Sequence, residues 1–536
     1  MTRFPADTAP PTTGRAGRRE WIGLAVLSIP ALLASLELTV THLALPAIGR
    51  ALAANSAELL WIVDVYAFLL AGSLITMGTL GDRIGRRRLL LIGAAAYGVA
   101  SVLAAYAPSA GALIAVRALL GISGATLMPS VLSLTVAMFR DPRQRTVAVG
   151  IVIASVSGGT AIGPLVGGWL LERFWWGSVF LLGVPVMALL LALGPILLPE
   201  RRDAGAGRLD PISAALSLAA VLPAVYGLKQ IAADGAGWLP VLSAAVGLLF
   251  AVVFLRRQRA LRHPLIDLRL FANRAFSTAV ATLALGIFVL WGFNYAFAQN
   301  LQLVRGLSPL EAGLWTAPSA IGVIVGSTLA SRTVRWIAPG PVIAAGLALA
   351  AVGFVVVAQA GMTAGTSALG LLVTGAIIVS AGLGPMMALA TDMVVGTAPP
   401  EQAGAASAIS STAPQLGGAL GIALLGSAIT AVYRSEMSRA VVAGLPSEAV
   451  SAARESLGGA VTASHILPYR PGAMLLSTAR EAFTAGFQLS AVASAATVAG
   501  MAVTVAVMLG RGRVGASQPP DADRTSTYTR RRHNPS

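Results

Sequence analysis

The chain has 536 residues, 56% of them hydrophobic and 11% charged, with a mean hydropathy of +0.77. A soluble domain carries roughly 25% charged residues, so most of this chain is built to face lipid. The formal net charge of +16 does not signal nucleic-acid binding, because the arginines punctuate apolar runs as orientation signals do and form no basic domain with interleaved aromatics.

About 20 apolar residues cross a bilayer, and fourteen such runs follow a polar N-terminal tail, residues 1–20. They fall near 22–46, 59–80, 89–106, 111–134, 146–170, 178–198, 211–231, 238–255, 275–298, 311–330, 341–360, 367–390, 404–432 and 480–509. Span 1 closes on Leu36-Glu37-Leu38-Thr39-Val40-Thr41-His42-Leu43-Ala44-Leu45-Pro46, and span 2 opens on Trp61-Ile62-Val63-Asp64-Val65-Tyr66. Between spans 2 and 3 an eleven-residue turn is expected, Gly78-Thr79-Leu80-Gly81-Asp82-Arg83-Ile84-Gly85-Arg86-Arg87-Arg88. Span 4 carries Arg117 and Gly121. In span 5, Gly159, Gly163 and Gly167 share one helical face with Pro164 and Gly168 beside it, a smooth surface that lets another helix approach closely. In span 9, Trp291, Asn294, Tyr295 and Ala298 share a face, and span 13 holds Gln415 but no acid. Residues 433–479 form one long connection, in which Pro446–Glu455 reads as a surface helix capped by Ser447, either a lid or a spacer. The tail 511–536, rich in Pro, Ser, Asp and Arg, is expected to be disordered.

Most of the 38 basic residues cluster on one side of these spans. Basic loops mark the cytoplasmic side, so both termini are expected there. Counting 1.5 Å per residue, Glu37 then lies roughly 13 Å from the outer end of span 1, and Asp64 and Arg117 roughly 8–9 Å from the outer ends of spans 2 and 4. Ionisable groups at such depth are costly and usually functional. Two acids against one arginine leave a carboxylate able to titrate, so Asp64, Glu37 and Arg117 are the candidate proton-coupling residues.

The turn G-x-L-x-D-R-x-G-R-R-x-x-L, carried here by Gly78, Asp82, Arg83, Gly85, Arg86 and Arg87, resembles the loop 2–3 signature of the major facilitator superfamily of secondary transporters. Gly159 to Gly168 matches G-x-x-x-G-P-x-x-G-G, which resembles the span-5 motif of that family's proton-coupled exporters. The span-1 element is similar to L-D-x-T-V-V-N-x-A-L-P of the fourteen-span drug:proton antiporters, with Glu37 where that branch has Asp and His42 where it has Asn. The resemblance implies an all-α integral membrane fold of two six-helix bundles, residues 21–200 and 273–510, with an inserted helix pair in 201–272. It also implies a switching role for the arginine turn. Trp61, Thr41, Trp291, Asn294, Tyr295 and Gln415 are the candidate pocket residues.

The resulting expectation is a multi-pass exporter of the cytoplasmic membrane, monomeric, expelling lipophilic and often cationic drugs in exchange for protons. No cofactor, metal or nucleic-acid partner is expected: the chain has no cysteine, and its four histidines are scattered. An exporter dedicated to one endogenous metabolite is the open alternative, and a proton-coupled importer a weaker one. No paired catalytic carboxylates or nucleophile–base spacing supports an enzyme.

Overall fold

Lipid offers no hydrogen-bond partner, so an apolar run satisfies its own backbone as a helix. The computed structural model describes residues 16–139, 141–200, 210–234, 237–261, 267–360, 366–398, 403–440 and 446–509, and among these the regular structure is helical without strands. The first bundle comprises α1 (Arg18–Leu52), α2 (Ser56–Ile84), α3 (Arg86–Ala105), α4 (Ala110–Gly124), α5 (Leu127–Met138), α6 (Pro142–Arg173), α7 (Ser178–Leu181) and α8 (Gly183–Leu197). An intermediate pair follows, α9 (Pro211–Asp234) and α10 (Trp238–Ala260). The second bundle holds α11 (Arg274–Gln299), α12 (Pro309–Thr333), α13 (Pro339–Ala360), α14 (Thr366–Gly396) and α15 (Ala403–Arg439). Two short helices, α16 (Ser447–Glu455) and α17 (Leu457–Ile466), precede its last member, α18 (Tyr469–Leu509).

Thirteen segments of the described residues are long and apolar enough to cross a membrane, and Ile212–Leu228 of α9, where a further span was expected, is a shorter apolar stretch. Span 4 is α4 and α5 broken at Ala125-Thr126, and span 6 is α7 with α8. In the first bundle α1 packs on α6 and α8, α2 on α4, and α3 on α4 and α8; in the second, α11 packs on α15, α12 and α13 on α14, and α18 on α13. The intermediate helices pack on each other, and α9 rests on both α2 and α15, one from each bundle. Only 11% of the apolar window of α10 is buried, which makes it the lipid-facing member.

The bundles meet closely at the end away from the arginine-rich turn. There the Gln302 side-chain amide donates to the Leu43 carbonyl at 2.9 Å. A Cβ at Gly168 of α6 would strike the Pro309 carbonyl of α12, and one at Gly313 of α12 would strike the Pro164 carbonyl of α6.

Three expectations change. The turn between spans 2 and 3 is one residue, Gly85, because both helices run on past the lipid boundary, where charged side chains are solvated but the backbone ladder still holds. Helix α1 continues through Pro46 to Leu52, so His42 lies inside a helix rather than at its end. The 433–479 connection is mostly helical: α15 runs to Arg439 and α18 begins at Tyr469, with α16 and α17 between. Ser447 is the first residue of α16 rather than its cap, whereas Ser456 caps α17 by accepting the Gly459 N–H at 3.0 Å. The expectation for 511–536 lies outside the described residues, as do residues 1–15 of the N-terminal tail.

Candidate functional site

The buried charge cluster is assembled by close approach of α4 to α2. A Cβ at Gly121 would come within 2.5 Å of the Tyr66 carbonyl, so the backbones nearly touch there. One turn earlier on the same face, the Arg117 Nε donates to the Ile62 carbonyl at 2.9 Å, and its Nη1 donates to Glu37 Oε1 of α1 at 2.6 Å. The guanidinium carbon stands 4.3 Å from the Tyr66 ring centroid and 5.7 Å from that of Phe180, so aromatic faces supply part of the solvation that water no longer gives. Arg117 has no exposed surface and Glu37 is 7% exposed. A pair this deep stabilises little by itself, but removing one partner strands the other charge.

Asp64, two residues beyond the Ile62 carbonyl, is fully buried. It lies within electrostatic reach of the Tyr295 hydroxyl of α11. His42 is also buried and meets the Tyr295 ring edge-on, with centroids 6.3 Å apart. The two acids therefore have different surroundings. Glu37 is tied to Arg117 inside the first bundle, whereas Asp64 lies toward the junction with the second.

At the opposite end, Asp82 Oδ1 and Arg86 Nε pair at 2.7 Å across the turn. Gly85 holds φ +112°, which L side chains rarely adopt. A Cβ there would also strike the Glu200 carboxylate. Glu200, just past α8, accepts the Arg87 backbone N–H at 3.2 Å and lies 3.6 Å from the Arg87 Nε and 3.9 Å from the Arg88 Nε. Arg87 Nη1 donates to the Pro195 and Leu198 carbonyls at 3.2 and 3.0 Å, and Arg19 to the Ile196 carbonyl. Basic side chains thus cap the final carbonyls of α8, where the helix dipole favours positive charge. Sequence reading missed Glu200; a lone acid facing an arginine-rich turn was the available signal. Arg83 is exposed, and among the described residues nothing approaches the Gly78 Cβ position within 4 Å.

The span-5 motif serves two neighbours. Cβ atoms at Gly159, Gly163 and Gly167 would meet Leu32, Thr39 and Val40 of α1, while Gly168 faces α12 of the other bundle. The Ser35 hydroxyl of α1 donates to the Val156 carbonyl at 2.7 Å, fastening the same seam. Helix α6 is continuous through Pro164.

The pocket candidates disperse. Trp61 stands 6.3 Å from the Tyr226 ring of α9, on the intermediate pair. Trp291 covers Gly418 of α15, and Tyr295 approaches Gly426. Thr41 is buried, and neither its hydroxyl nor the buried Gln415 Oε1 finds a hydrogen-bond partner among the described residues. Asn294 is half-buried on α11. Among the described residues, no group of three or more His, Cys, Asp or Glu side chains could hold a metal ion.

A family model for the Major Facilitator Superfamily matches residues 27–422. The multidrug efflux pump LfrA of Mycolicibacterium smegmatis is 42% identical over 94% of this chain and 98% of its own length. The methyl viologen resistance protein SmvA of Salmonella typhimurium is 36% identical over 87% of this chain and 93% of its own. Among solved structures, a bacterial homolog of the human lysosomal transporter Spinster, inward-facing and unoccupied, superposes with a TM-score of 0.63 at 19% identity, covering 92% of this chain and 97% of that one.

Proposed function

The chain belongs to the major facilitator superfamily of transporters, and on that footing we propose that it exports lipophilic, often cationic compounds from the cytoplasm in exchange for protons. The moving bodies are the bundles 21–200 and 273–510, and both termini lie in the cytoplasm, which makes the arginine-rich end the inner one. The reading draws on relatives named for multidrug efflux and for resistance to methyl viologen, itself an organic dication.

The observation that carries the coupling is the unequal treatment of two buried acids. Arg117 occupies Glu37 at 2.6 Å, while Asp64 lies at the junction with the second bundle beside Tyr295. In this reading Arg117 keeps Glu37 engaged inside the first bundle, and Asp64 carries the proton. A carboxylate facing a cavity either holds a proton or attracts a cation, and that exclusion couples the two flows. Protonation from outside releases the cation; loss of the proton inside readies the site for the next one. The membrane potential adds about 2.3 kcal/mol per charge per 100 mV to any net charge moved. The arginine turn with Asp82, Gly85 and Glu200 holds the inner ends of α2, α3 and α8 in register while the bundles rock.

The test is tetraphenylphosphonium transport in everted membrane vesicles under an imposed pH gradient. Asp64→Asn should abolish gradient-driven transport while the protein still binds the cation. Uphill transport by Asp64→Asn would move the proton site elsewhere and remove this assignment. Orientation is checked by single cysteines: Ser447→Cys should react with an impermeant maleimide in intact cells, and Ser517→Cys should not. Ser456 would serve poorly as a probe, being buried and engaged as the α17 cap.

A further inference from the structure

A cavity of about 630 Å³ lies under α16 and α17 at the end away from the arginine turn. That volume falls within the roughly 300–1,000 Å³ range of small-molecule sites. Its floor is Tyr295 and Gln299 of α11, and its walls include Tyr433 of α15 and Phe483 of α18, all four buried. The short helices supply two acids, Glu448 and Glu455. Among the described residues a single arginine lines the same space: Arg50, whose Nε donates to the Pro46 carbonyl at 3.3 Å at the end of α1. Arg434 and Arg454 border a separate hollow that Glu455 also lines and Glu448 does not. The roof is tied to both bundles. The Tyr433 hydroxyl donates to the Ala453 carbonyl at 2.5 Å, and the Ser56 hydroxyl of α2 donates to the Glu455 carbonyl at 2.7 Å.

We infer that this cavity is a second, outer binding site, in which an exported lipophilic cation rests beneath α16 and α17 before release. The inference rests on the proposed export of such cations and adds a place to it. Apolar walls with aromatic faces and two carboxylates at the roof match an organic cation, since rings attract cations by about 0.5–2 kcal/mol per contact, and an anion would meet the acids. The floor gives the site its link to coupling. Tyr295 lies between the cavity and the buried groups, touching His42 by its ring edge and lying within electrostatic reach of Asp64. A cation resting on Tyr295 therefore feels the charge on Asp64. Protonation of Asp64 removes an attraction from below and favours departure.

The cysteine-free chain permits a direct test. Thr462 lines the cavity and is exposed, so a Thr462→Cys variant can be purified whole and its maleimide labelling rate followed with and without tetraphenylphosphonium. The expected result is several-fold slower labelling with the cation present. Adding Glu448→Gln should raise the concentration needed for protection several-fold, while adding Asp64→Asn should leave protection measurable. Absence of protection in a Thr462→Cys protein that still exports the cation in vesicles would overturn the outer site and leave the export reading intact. Protection that persists where gradient-driven export is absent would uphold the site and count against the export reading. Protection unchanged by Glu448→Gln would also overturn the inference, because binding would then not depend on the roof acid.

Discussion

The first bundle buries an arginine, two carboxylates and a histidine, whereas the second, among the described residues, buries nothing more polar than Gln299, Asn300 and a set of hydroxyls. The second bundle is held by shape instead. Cβ atoms at Gly417 and Gly421 of α15 would strike the Ala284 and Phe288 carbonyls of α11, and one at Gly326 of α12 would strike the Ala381 carbonyl of α14. Backbones that approach this closely leave room for little besides glycine and alanine. The contrast teaches that two bundles of one architecture, both packed through close backbone approach, can differ sharply in the charge they bury.

The most drastic way to break the contrast is to remove the charge that organises the first bundle. Arg117→Ala strands Glu37 in an apolar interior and should destabilise the protein by about 3–5 kcal/mol, read as a large fall in melting temperature in detergent. The Arg117→Ala/Glu37→Gln double variant should recover much of that loss. A single variant as stable as the parent would mean that the pair does not hold the bundle. The contrast sharpens from the other side at α15. Gly421→Ala pushes a methyl group into a backbone carbonyl and should cost about 1–3 kcal/mol, as overpacked cores do. Gly163→Ala should cost less, because its obstacle is chiefly the Thr39 side chain, which can rotate. Equal melting shifts for the two would mean that the Thr39 side chain does not yield. Glu200→Gln weakens only partly exposed ion pairs, so stability should change by about 1 kcal/mol or less, while transport slows because the switch turn loses its support. Unaltered transport would reduce Glu200 to a helix-end anchor.

The smallest effect concerns the intermediate pair, which belongs to neither bundle. Burial pushes the Asp210 carboxyl up, but bonds from Ser213 and Arg257 outweigh it and hold the group below the usual carboxylate range. Arg257 Nη2 donates to Asp210 Oδ1 at 3.0 Å, and the Gln258 side-chain amide donates to the Ser213 hydroxyl at 2.8 Å, stapling the start of α9 to the end of α10. A carboxyl held low in the folded state contributes stability above its ordinary titration range, and loses it as pH falls through the lowered value. Melting curves should show an acid-side loss that Asp210→Asn removes, by less than about 1 kcal/mol for so solvent-near a group.

Hydropathy made the spans legible because lipid imposes a length on them and charge marks their ends. It drew the turn around Gly85 too long because helices do not stop where lipid does. Glu37, Asp64 and Arg117 were legible for the same reason the spans were: each stands out in an apolar run. Which acid Arg117 would take was not, since depth along a helix says nothing of its rotation about the axis. Contact between Gly121 and the α2 backbone settles that rotation. The direction of the Trp61 ring was illegible for the same reason; it stands against Tyr226 of α9. The α17 helix was hidden because its signal is one serine, Ser456, before a short run of glycine and alanine.

The crossed contact of α6 and α12 has a genetic consequence. Gly168 receives the Pro309 carbonyl and Gly313 receives the Pro164 carbonyl, so each helix constrains what the other can encode, and two positions far apart in the chain behave as one locus. A side chain gained at either should give the same defect, and neither can be rescued by trimming the partner, because the obstacle on both sides is main chain that no substitution shortens. Random mutagenesis scored for lost drug tolerance should therefore return paired hits at these two glycines, with suppressors arising by a shift of the helices and not at the facing residue.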